Sequence, residues 1–345
     1  MRKIIFGLGL LASALFMRAQ QTPQYTQYMV NPYLYNPALA GSEDFVDLKV
    51  GYRAQWVGLE NAPTTMYVSA HAPIKEHTMR HAKNDHEAYP GIGGFVMQDK
   101  TGPISNLRMN GSFSYNIPIS HGKWFGALHH QDGIRLTLGM SAGVNQYEID
   151  PTGFYMRNND GSQTPITDDL GQIDPLLSGG TTIRPDASFG AWFYFGELFY
   201  LGASANQILN SKIDIDETVT LEGRLTPHYN AVAGGKFSAG YDLWVLPSVM
   251  VKWVNGAPAS FDLNCRLDYQ DQFFGGVSYR YQDAVALIGG VILGKAKSIE
   301  VAYSYDITTS TIAQFSGGSH EVTLGYRIMP KYHPRNPSDT WRKRR

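Results

Sequence analysis

The sequence predicts an all-β protein, a transmembrane antiparallel β-barrel of about fourteen strands in an outer membrane, and three observations carry that prediction. Apolar and polar side chains alternate with period two along many segments, as in strands with two unlike faces. The segments run to roughly ten residues, the length of a tilted strand crossing a bilayer rather than the five or six usual in globular sheets. Aromatic residues crowd the segment ends (Trp56, Tyr115, Trp124, Trp192, Phe199, Trp253, Tyr269, Tyr279, Tyr281, Tyr303), where an interfacial girdle belongs. A soluble sandwich would bury the apolar faces, whereas a membrane barrel turns them to lipid. Strand length and the girdle favour the barrel.

Composition narrows the function by exclusion. The 345 residues carry 29 Lys+Arg against 30 Asp+Glu, so a near-zero formal charge gives no case for nucleic acid as the main partner. One cysteine rules out a disulfide framework and any cysteine-based metal site. A mean hydropathy of −0.25 excludes a bundle of membrane helices, and 43% hydrophobic residues argue against disorder.

The first element is an address. Arg2 and Lys3 precede an apolar run from Ile4 to Met17, and Ala19 supplies a small residue at the expected cut, so residues 1–19 read as a signal peptide. No cysteine follows to take a lipid. Its removal takes away three bases and leaves the chain at −4. The fifteen residues from Lys331 carry six bases and one acid, so the body between stands at −9. Residues 20–45 form an N-terminal segment placed at the periplasmic mouth, 46–329 the barrel, and 330–345 a basic tail.

Six strands are strongly patterned. On 46–56, Val46, Leu48, Val50 and Tyr52 oppose Asp47, Lys49 and Arg53; 107–119 sets Met109, Phe113 and Tyr115 against Arg108, Asn110 and Ser114. The runs 134–144, 259–269, 299–307 and 320–328 follow. Weaker segments fall at 64–74, 91–100, 186–196, 198–207, 228–239, 243–254, 272–282 and 284–294. Of these, 243–254 and 284–294 are apolar on both phases and leave their registers open. With both termini periplasmic, the long connections 148–185 and 208–226 become extracellular, with tight inner turns at Gly196-Glu197, Tyr241-Asp242 and 294–297. The inner connections 75–90 and 120–132 are long and histidine-rich, which suggests an interaction surface there.

From Gln24 to Gly41 the chain reads QYTQYMVNPYLYNPALAG. This stretch, Tyr52-Arg53 with Gln55-Trp56, Gly275-Gly276 with Tyr279-Arg280, Ser304-Tyr305-Asp306 and Gly318-Ser319-His320-Glu321 together resemble the PorP/SprF family of type IX secretion proteins, over about residues 24–328. The resemblance implies a non-enzymatic outer-membrane barrel of the secretion and gliding machinery. Its implied partners are a secreted surface adhesin or its C-terminal domain, other secretion components in the periplasm, and outer-membrane lipid. No cofactor is implied. The basic tail after Met329 departs from a plain barrel ending. It would bind acidic headgroups or an acidic partner, or remain a solvated end.

Asn31-Pro32 and Asn36-Pro37 forbid a continuous helix, while Tyr25, Tyr28 and Met29 need a surface to cover. The segment would fold against the periplasmic mouth, enter the lumen as a plug, or simply lead into the first strand. These seven residues, with Asp168, Asp169 and Leu176 of the long outer loop, are the partner-contact candidates. The lumen-facing phase collects Arg53, Arg108, Arg266, Arg280 and Arg327 with Asp262, Asp268, Glu300 and Glu321, alongside Lys49, Arg135 and Asp306. Mixed signs favour a cross-lumen ion-pair network over a selective pore lining.

Catalytic and metal signals are weak. His77 and His81 are four apart with His86 beyond, but no glutamate completes a metalloprotease motif and a solvated turn is favoured; His129-His130 reads likewise. Ser69 and His71 share a strand face, yet residues two apart lie roughly 6.5–7 Å from one another, too far for direct proton transfer. Cys265 sits on an apolar face, as an inert thiol. The resemblance makes a secretion accessory the leading expectation, with a solute-conducting porin the alternative and a barrel hydrolase third.

Overall fold

The computed structural model describes residues 23–74, 88–120, 134–150, 155–157, 163–165, 180–196, 198–213, 223–294 and 297–329. Fourteen antiparallel strands follow in chain order: β1 (Val46–Ala54), β2 (Thr64–Pro73), β3 (Tyr89–Thr101), β4 (Ile104–Ser120), β5 (Ile134–Ile149), β6 (Gly180–Phe195) and β7 (Phe199–Asn206). Then come β8 (His228–Gly235, resumed at Phe237–Gly240), β9 (Leu243–Val254), β10 (Ser260–Tyr269), β11 (Phe273–Arg280), β12 (Ala284–Leu293), β13 (Ile299–Thr308) and β14 (Ser319–Ile328). Both pieces of β8 pair with β9, so the fifteen hydrogen-bonded segments amount to fourteen strands. Each strand pairs with the next, and β1 closes on β14 from Val46↔Ile328 to Ala54↔His320. Closure leaves no edge, which is what hydrocarbon demands of a sheet.

The faces are inverted relative to a soluble protein. Val50, Met66, Val68, Phe113, Met140, Phe189, Leu263, Leu287 and Leu324 are exposed on the outer wall. Ser112, Ser114, Asn116, Thr137, Asn145, Asp186 and Thr323 are buried within. Apolar outside and polar inside excludes the sandwich and fits a wall bathed in lipid. Cys265 lies on that outer face.

Four of the inward aromatics lie flat because a glycine faces each directly across the ladder. The pairs are Gly51 with Tyr67, Gly202 with Trp192, Gly234 with Tyr200, and Gly290 with Phe274. A Cβ at Gly51 would stand 2.1 Å from the Tyr67 ring, so the missing side chain is the ring's seat. Folding the rings onto the wall keeps the lumen clear for the N-terminal segment. Gly51→Val should therefore cost about 1–3 kcal/mol through overpacking, read as a lower urea midpoint in detergent. An unchanged midpoint would show that the ring swings away freely.

The end where β1 begins and β14 finishes is here the proximal end. It carries the connections 74–88, 121–133, 196–198, 241–242, 270–272 and 294–298. The distal end carries 55–63, 102–103, 150–179, 207–227, 255–259, 281–283 and 309–318, including the two longest. Short antiparallel pairs Tyr155–Arg157 with Gln163–Pro165 and Lys212–Ile213 with Gly223–Arg224 lie in those two.

Candidate functional site in the lumen

The lumen is occupied by the chain's own N-terminal segment. Both Asn-Pro pairs start a short 3-10 turn, Pro32–Leu34 and Pro37–Leu39, with proline at a position that needs no amide donor. Asn36 Oδ1 accepts from the Ala38 amide at 2.9 Å and so caps the second turn. These turns compact the segment enough to fill the barrel. Tyr25, Tyr28, Tyr33, Leu34, Tyr35 and Leu39 are buried, and Ala38 and Ala40 are 0% exposed.

Contacts run in order along the barrel. At the distal end, the amides of Thr26 and Gln27 donate to the Glu321 carboxylate at 2.8 and 3.3 Å. The Thr26 hydroxyl donates to Asp306 and accepts from Arg53 at 2.9 Å and Arg280 at 3.2 Å. At mid-height, Tyr28 meets Ser248 and Asn264 at 2.8 Å each, Asn31 donates to Ser69 at 2.9 Å, and Tyr33 donates to Ser112 at 2.9 Å. Asn36 then donates to the carbonyls of Ala191 and Ala203 at 3.1 Å each. At the proximal end, Ser114 donates to the Ala40 carbonyl and Gly41 donates to His71 Nδ1 at 3.2 Å.

The wall is cut to receive this path. A Cβ at Gly91 would stand 2.1 Å from the Ala40 carbonyl oxygen, one at Gly139 2.3 Å from the Ala38 nitrogen, and one at Gly190 1.9 Å from Asn36 Oδ1. Gly91 on β3 and Gly139 on β5 therefore let backbone meet backbone, and Gly190 on β6 makes room for the Asn36 side chain. A cavity of about 220 Å³ remains between the segment and β6–β10, lined by Tyr28, Met29, Trp192, Tyr200, Met250 and Arg266 among others.

The charged candidates divide into clusters. Arg53, 2% exposed, bridges Asp306 at 2.8 Å and Glu321 at 3.0 Å. Arg280 meets Asp283 at 2.8 Å, Asp262 at 3.6 Å and Asp306 at 3.7 Å, and Lys252 holds Asp262 at 2.7 Å. This cluster sits along one distal arc of wall, and the segment's Thr26 joins its members. Away from it stand the pairs Arg108–Asp186 at 3.2 Å, Arg266–Asp268 at 2.6 Å and Arg327–Glu300 at 2.7 Å. Arg135 meets the Tyr89 hydroxyl and the Tyr194 ring. Lys252 and Asp186 were not among the sequence candidates. Their strands were read as weak, although Asp186, Ser188 and Gly190 already share one phase.

The partner-contact candidates Tyr25, Tyr28, Asn31, Pro32, Asn36 and Pro37 lie inside the barrel, with Met29 packed against its core. The segment spans the lumen rather than resting at the mouth. Ser69 and His71 are both engaged by it. The expected signal peptide, His77, His81, His86, His129-His130, Asp168, Asp169, Leu176 and the basic tail lie outside the described residues.

Comparison with known proteins adds three findings. The family model described as type IX secretion system membrane protein PorP/SprF matches residues 17–326. No curated protein matches the chain in sequence. Among solved structures, the chain is similar to the Ralstonia pickettii toluene transporter TbuX, at 12% identity over 87% of this chain and 93% of that one, with a TM-score of 0.47. It is similar also to the Acinetobacter baumannii outer membrane protein Omp33, at 6% identity over 84% and 100%, TM-score 0.41.

Proposed function

This chain belongs to the type IX secretion system membrane protein PorP/SprF family, and from that premise we propose that it is a non-enzymatic accessory assisting secretion or surface anchoring of a partner adhesin. The barrel anchors it in the outer membrane. The proximal end faces the periplasm and meets other components of the secretion machinery. The distal end faces outward, where the connections 150–179, with Asp168, Asp169 and Leu176, and 207–227 offer contacts for the exported partner.

The observation that carries this reading is the filled lumen. A porin needs a water-lined path, yet residues 24–41 occupy the interior and bond to the wall from the distal cluster to His71. Arg53, Asp306 and Glu321 pair with one another and with Thr26, so they act as structure rather than as an ion path. A hydrolase would need a nucleophile and base in mutual reach, and Ser69 and His71 instead serve the segment.

The test is genetic and biochemical. Loss of this chain should remove the partner adhesin from the cell surface, and a chain carrying Asp168→Ala, Asp169→Ala and Leu176→Ala should reach the membrane but capture less adhesin in pull-downs. Normal surface display without the chain would overturn the proposal.

A further inference from the structure

The two ends of the N-terminal segment lie at opposite mouths of the barrel. Gln24 lines a small recess with His228, Lys252, Val254, Ala257 and Pro258, all at the distal ends of β8 and β9 or in the distal turn 255–259. Thr26 and Gln27 hang on Glu321, three residues into β14 from its distal start, and on Arg53, one residue short of the distal end of β1. Gly41 reaches His71 and Gly91, near the proximal ends of β2 and β3, and β1 then starts from the proximal mouth. The chain therefore enters at the distal mouth, descends the lumen and leaves at the proximal mouth before its first strand. Sequence reasoning had placed both termini on one side.

Combined with the sidedness given under the proposed function, on which it rests, this geometry points to an amino-terminal end displayed on the extracellular face. We infer that Gln24, at the head of the lumen segment, stands there beside the turn 255–259 as part of the surface on which the exported partner docks. The end of β14 stays on the periplasmic side. Residues 24–42 are then a covalent strap from the surface contact to the periplasmic start of β1.

Single cysteines test it. Cys265 is on the lipid face, and a Cys265→Ser background carries Gln24→Cys, with Asn255→Cys as a distal and Asp44→Cys as a proximal reference, both exposed positions. On intact cells, a membrane-impermeant maleimide should label Gln24→Cys and Asn255→Cys, and Asp44→Cys only after the outer membrane is permeabilised. Labelling of Gln24→Cys only together with Asp44→Cys overturns the inference. Should neighbouring loops shield that thiol in both states, an epitope inserted between Gln21 and Thr22 decides: antibody binding on intact cells supports the topology, and binding only after permeabilisation overturns it. A bulky polyethylene glycol maleimide on Gln24→Cys should lower partner retention on the same cells, and full retention removes the docking role. Surface display of the adhesin, scored separately in cells lacking the chain, tells failure of this inference from failure of the functional proposal.

Discussion

Arg53→Ala is expected to lower barrel stability by about 3–5 kcal/mol, more than any surface change, because it strands two buried carboxylates. Arg53 is 2% exposed, and its guanidinium reaches Asp306 at 2.8 Å, Glu321 at 3.0 Å and the Thr26 hydroxyl at 2.9 Å. Removing it leaves Asp306 with Thr26 and a distant Arg280, and leaves Glu321 with two backbone amides. Arg53→Lys should fall between, since a lysine keeps the charge but cannot fork to two acids. Urea unfolding in detergent or lipid, followed by gel mobility of unheated samples, reads the loss. A shift within about 0.5 kcal/mol of native, the range of an ordinary surface substitution, would mean that the cluster is not structural.

Deleting residues 24–40 is expected to turn a closed barrel into a conducting one. The segment takes its place through bonds to nearly every part of the wall, and water would follow into a polar interior once it is gone. In planar bilayers the native chain should hold a quiet baseline, and the deletion should show discrete current steps. Gly139→Leu checks the same point without shortening the chain: its side chain would collide with Ala38, where even a Cβ stands at 2.3 Å, and should unseat the proximal half of the segment. A large steady current through the native protein, or none through the deletion, would contradict a lumen held shut by residues 24–40.

Much of the barrel was legible beforehand because strand patterning is local. Alternation placed β10 on 259–269 and β14 on 320–328, within a residue of Ser260–Tyr269 and Ser319–Ile328. Two segments resisted, and the structure supplies the cause. On β9 and β12 the inward face is also apolar: Met250 packs against the segment's tyrosines, and Ile288 packs with Val30, Phe274 and Ala302. At Met250 and Ile288 the alternation fails because the inward side chain meets the plug's apolar groups. The ion pairs were legible as a set of lumen-facing charges, but not as partners. Arg108 was identified without Asp186, whose strand carries a weaker pattern.

The amino-acid order alone determined the class of fold, the number of strands, which side of each faces lipid, and the family likeness, since all of these follow from a two-residue period and a short motif. Only the closed barrel decided that residues 24–41 run through the lumen, and in which direction. That outcome depends on bonds such as Thr26 to Glu321, 295 positions apart, and on glycines from three strands making room for one segment. A periodic pattern says which way a side chain points, but what it meets across a lumen is fixed only when the first and last strands join.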